Sequence, residues 1–90
     1  MVHFIIAIRY DGYCMDKKGF NQVYGQVFIW GGFSKSDCLK SCQNIDVKTT
    51  GCEHYSWPRG GRCLYHTKPL SRGDNDPSLT CWVFKQGLYS

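Results

Sequence analysis

Arg72, Gly73 and Asp74 stand together inside the polar stretch Ser71 to Pro77. A guanidinium and a carboxylate separated by one glycine can reach an acidic pocket and a metal ion at opposite ends of a receptor site, the chemistry that integrin ligands use. Glycine between them lets a turn adopt positive φ. A second constellation mixes rings with cations: Trp57, Arg59, Arg62, Tyr65 and His66, beside Tyr55. Indole and phenol faces stack on the apolar face of a pyranose, while arginines hold carboxylate or sulfate groups by charge-assisted hydrogen bonds. The plainer role for Tyr55 and Trp57 is core packing.

Other chemistry is poorly served. His3, His54 and His66 fall at no metal-ligand spacing and accompany no Cys-x-x-Cys motif, so no metal or other cofactor is expected. Paired carboxylates, a phosphate loop and a nucleophile elbow are absent from the sequence. Six cysteines in 90 residues form an even set, which predicts that every thiol is oxidised and leaves no cysteine nucleophile. Binding is expected, and catalysis is not.

The cysteine count also bounds the setting. A chain this short makes one domain, residues 1–90, and a core of this size is marginal without covalent bridges. Disulfides persist outside the cell, so the protein is expected to be secreted. The apolar run at 2–8 is too short for a secretory signal and has no basic leader, so a signal is expected on the natural product. No run reaches membrane-spanning length. The net charge of +4 comes from scattered Lys and Arg, which is not a nucleic-acid pattern but does favour acidic partners such as sulfated glycans.

The elements that must carry these groups follow from local pattern. Residues 2–10 are rich in β-branched and aromatic side chains and end at the Asp11-Gly12 turn signal, a first strand. Residues 22–30 read as a second strand interrupted by Gly25. Ser34 followed by Asp37 is an N-cap signature and predicts a helix over 35–43, with Cys38 and Cys42 on one face. Residues 52–57, the turn 58–61 and residues 62–66 make a hairpin bearing one cysteine on each arm. Residues 67–78 have loop composition throughout, and 80–84 close the domain as a strand.

The Ser36 to Cys42 helix, the strand carrying Cys52, Tyr55 and Trp57, and the answering Gly61 to Tyr65 strand resemble the PAN/apple domain family over residues 34–66. The resemblance extends more loosely to Cys14 and Cys81. It implies an α+β fold in which a single helix packs on a curved antiparallel sheet. It also implies the pairs Cys38 with Cys63, Cys42 with Cys52, and Cys14 with Cys81, one of the fifteen connectivities that six cysteines allow. Functionally it implies a non-catalytic extracellular module that recognises a protein or carbohydrate, as in adhesion. The alternative is an integrin ligand or antagonist acting through Arg72, Gly73 and Asp74 on a cysteine-framed loop, as in disintegrin toxins, which the chain otherwise does not resemble.

Overall fold

The computed structural model describes residues 2–20, 26–27, 34–45, 48–56 and 61–89. Their strands are β1 (Val2–Asp11), β2 (Cys14–Met15), β3 (Gln26–Val27), β4 (Gly51–Tyr55), β5 (Arg62–His66), β6 (Arg72–Gly73) and β7 (Leu79–Tyr89), and α1 spans Lys35–Asn44. Five strands form one antiparallel sheet in the order β1-β7-β4-β5-β3, while β2 and β6 pair as a short separate ribbon. The architecture is α+β, one helix on an antiparallel sheet, as expected.

The helix begins where the cap predicts. Ser34 is extended and its hydroxyl accepts from the Asp37 N–H at 3.1 Å, satisfying one of the donors that a helix start leaves open. Cys38 and Cys42, one turn apart, both face inward and are buried. Of the expected hairpin, Gly51–Tyr55 pairs with Arg62–His66, with Cys52 opposite Tyr65 and His54 opposite Cys63, and 57–60 lie outside the described residues. Of the expected second strand, Gln26–Val27 pairs with β5, and the remainder of 22–30 lies outside the described residues.

All six cysteines are paired as the resemblance implied: Cys38–Cys63, Cys42–Cys52 and Cys14–Cys81, with Cα separations of 5.4, 6.2 and 5.2 Å. The first two join α1 to β5 and β4. They form one core with Trp82, against which Ala7, Leu39, Tyr65 and Phe84 pack. Strand alternation sends Cys81 and Val83 to the other face, where with Cys14 they make a second core joined by Tyr10 and Leu70. Two packed layers therefore flank the sheet, α1 on one side and the β2–β6 ribbon on the other.

Two expectations are corrected. The closing strand runs on to Tyr89, because its whole length pairs with β1. Residues 67–78 are not loop throughout, since Arg72–Gly73 is a strand paired with Cys14–Met15. A two-residue strand between charged and turn-forming neighbours leaves no alternation to read in sequence.

Candidate functional site

The ribbon is stitched down at each step. Ser71 N–H donates to Met15 O at 2.7 Å, Asp74 N–H to Tyr13 O at 3.1 Å, and Asn75 N–H to Asp11 O at 2.9 Å. Asp74 Oδ1 accepts from the N–H groups of Tyr13, at 3.0 Å, and Asp76, at 3.1 Å. Gly73 is buried, and among the described residues those of positive φ are Gly12, Gly19, Gly61 and Asn75. Gly73 therefore serves close approach, not a left-handed turn, because a Cβ there would overlap Asp11 O and touch Tyr10 Cβ. Arg72 and Asp74 are exposed on either side of it.

The turn after β2 carries the charge. Asp16 turns its carboxylate back on its own backbone, accepting from Lys18 N–H at 2.9 Å and Phe20 N–H at 3.0 Å. This Asx arrangement closes residues 16–20 and leaves Lys17, Lys18 and Phe20 projecting, with Phe20 66% exposed. Arg72 reaches the same turn: a Cβ on Gly19 would lie 3.9 Å from its Nη2. Lys17 and Lys18 face Lys68 across a cleft of about 310 Å³ whose floor includes Pro69 and Leu70. A cleft lined by three lysines, Asp16, Pro69 and Leu70, with Arg72 on β6 and the exposed Phe20 ring close to the same turn, suits an anionic ligand that also has an apolar face.

Behind the ribbon lies a buried polar network. Glu53, on β4, is 1% exposed. Its Oε1 accepts from Cys14 N–H at 2.6 Å and sits 3.6 Å from His66 Nε2. Its Oε2 accepts from the Tyr55 hydroxyl. Burial raises the Tyr55 pKa above the ordinary phenol value, and the neighbouring Glu53 carboxylate adds to the rise through its hydrogen bond and its charge. Tyr13 packs edge-on against Tyr55, with ring centroids 5.6 Å apart. Cys14, Glu53 and His66 bring potential ligand atoms within 4.8 Å of one another, but the Cys14 sulfur is committed to Cys81. The network's role is to hold the ribbon on the sheet.

Of the hairpin constellation, Trp57 and Arg59 lie outside the described residues. The other three do not converge. Arg62 is exposed, His66 is buried beside Glu53, and Tyr65 points to the opposite face, against the α1 core. Sequence reasoning missed Lys17, Lys18, Lys68 and Phe20 as a group, because the two segments meet only through the β2–β6 pairing. The available signal was the polar, lysine-bearing run at 15–21. Comparison with protein-family models, with curated proteins and with solved structures finds no match to this chain.

Proposed function

We propose that this chain is a secreted, non-catalytic recognition module of PAN/apple type that binds an anionic carbohydrate in the lysine cleft. The carrying observation is the convergence of Lys17, Lys18 and Lys68 over Pro69 and Leu70, with the Asp16 carboxylate engaged by its own turn. Phe20 supplies a stacking face, and the net charge of +4 supplies long-range attraction. Three disulfides fit an extracellular setting, and no described helix is long and apolar enough to cross a membrane.

Titration with a defined heparin oligosaccharide tests this reading. Binding is expected to weaken as salt rises, and replacing Lys17, Lys18 and Lys68 together by Ser is expected to lower affinity at least about tenfold. Equal affinity of the triple variant and the parent would overturn it. A second reading, integrin binding, is favoured by the exposure of Arg72 and Asp74 on either side of Gly73. Asp74→Glu keeps the charge but displaces a carboxylate that also holds the Tyr13 and Asp76 N–H groups, so it is expected to abolish adhesion to integrin-bearing cells, and an unchanged urea midpoint assigns that loss to the receptor contact. Unchanged adhesion would remove that reading.

A further inference from the structure

β1 forms an edge of the five-stranded sheet, and its one strand partner among the described residues is β7. Two hydrogen bonds fix which of its backbone groups face outward. Gly12 N–H donates to Leu79 O at 2.8 Å, so residues in step with Gly12, namely Tyr10, Ile8 and Ile6, direct their N–H and C=O toward β7. Asp11 O instead accepts from Asn75, so the alternate residues face away from β7. The β2–β6 ribbon thus covers the outward carbonyl of Asp11. The outward groups of Arg9, Ala7, Ile5 and His3 have no backbone partner among the described residues.

Arg9 is the one charged residue that blunts this edge among residues 3–9. Natural edge strands are blunted by Lys, Pro or a bulge, and His3 to Ile8 contains no Lys or Pro and pairs with β7 in unbroken register. The exposed large hydrophobic residues among those described are Phe20, Ile5 at 54% and Ile6 at 42%. Two of the three stand at the middle of the open edge. Phe84 N–H still donates to Thr50 O at 2.9 Å, and beyond it β7 has no partner strand other than β1 among the described residues, so Ile5 and Ile6 lie where β1 and β7 pair by themselves.

We propose that the β1 edge pairs antiparallel with the β1 edge of a second copy of this chain, about a two-fold axis at Ile6. The register follows from the open groups. With the axis at Ile6, Ile5 pairs with Ala7 of the second copy and His3 with Arg9, so all four outward residues are used, each pair exchanging two hydrogen bonds. Moving the axis to Ala7 sets His3 against Asp11, whose carbonyl is already taken by Asn75. Moving it to Ile5 carries Arg9 past His3. Ile6 meets its own symmetry mate in a non-hydrogen-bonded pair, where side chains approach most closely, and Ile5 covers Ala7 on the other face. The contact is isologous and joins the two sheets into one.

Sedimentation velocity between about 5 and 500 µM, with hydrogen exchange on the same samples, tests the proposal. The parent is expected to dimerise reversibly, with the Ile5 and Ala7 amides slowing in exchange as concentration rises and the Ile6 and Ile8 amides protected throughout. Ile5→Pro removes an outward N–H without removing a β7 bond, and is expected to raise the dimer Kd at least about tenfold. Ile6→Lys places two ammonium groups across the axis and is expected to give monomer at every concentration. Its side chain is partly exposed, so it decides the matter even if the proline variant misfolds. Phe20→Ser is expected to leave the dimer intact. A parent that stays monomeric at the highest concentration, a dimer that survives both β1 substitutions, or a dimer lost with Phe20→Ser would overturn it.

Discussion

On one face of the sheet α1 is held by two disulfides and an apolar cluster around Trp82; on the other, the β2–β6 ribbon is held by one disulfide and by Glu53. The helix supplies its own backbone hydrogen bonds, so its contact with the sheet can be almost wholly apolar. The ribbon has too few residues to satisfy itself. It borrows acceptors from its surroundings: Cys14 N–H takes Glu53, Tyr13 N–H takes Asp74, and Asn75 N–H takes Asp11. A short segment can be docked firmly only where a buried polar partner waits for it, and such a partner costs free energy whenever the segment leaves. The candidate cleft stands on this second, more polar face.

Removing the covalent ties breaks the comparison most severely. Cys14–Cys81 spans 67 residues of sequence and Cys42–Cys52 spans 10, so by chain entropy the former contributes about 4 kcal/mol and the latter about 3 kcal/mol. Paired Cys→Ala variants are expected to follow that order in urea denaturation. Loss of Cys14–Cys81 should also release the ribbon, read as fast exchange of the Asp74 and Asn75 amides.

Truncating the polar anchor comes next. Glu53→Ala leaves the Cys14 N–H and the Tyr55 hydroxyl without their acceptor in a buried site and is expected to cost about 3 kcal/mol. Glu53→Gln keeps one acceptor oxygen and should cost less. Equal losses would mean that the negative charge, not the hydrogen bonds, holds the ribbon.

Gly73→Ala is expected to cost about 2 kcal/mol, since the added methyl must displace the ribbon from Asp11. Its sharper readout is oligosaccharide affinity. If the lysine cleft depends on the ribbon's seat, binding weakens; if the 16–20 turn is self-supporting, binding persists while stability falls.

The smallest effect is alkaline. The folded state holds the Tyr55 proton above its ordinary pKa of 10.0, chiefly through burial and then through Glu53. The unfolded chain releases that proton first, so this contribution is whole below about pH 10 and is lost progressively as pH rises beyond it. Tyr55→Phe should flatten that decline in a series of denaturation curves above pH 9. An unchanged slope would show that the raised Tyr55 pKa contributes no stability.

Much of the helix face was legible in residues. Ser34 marked the cap, the four-residue spacing of Cys38 and Cys42 put both on one side, and the hairpin showed its two arms. The other face was hidden for a physical reason. Alternation assigns Glu53 to the face opposite the helix, and a carboxylate there reads as solvated until another layer covers it. That layer is the β2–β6 pair, two residues on each strand, at 14–15 and 72–73, far apart in sequence. Gly73 misled in the same way, since a glycine between Arg and Asp reads as a flexible turn but is in fact where two backbones press together.

The sequence by itself determined the α+β class, the oxidised cysteines, the helix and the central hairpin, because capping, periodicity and cysteine count act locally or by number. Only the tertiary structure decided that Arg72 and Gly73 form a strand, that Glu53 is an internal anchor, that Lys68 shares a cleft with Lys17 and Lys18, and that β1 is an edge strand of the sheet. Each depends on which distant backbone comes to lie alongside, and strand pairing is a property of two segments that neither carries alone.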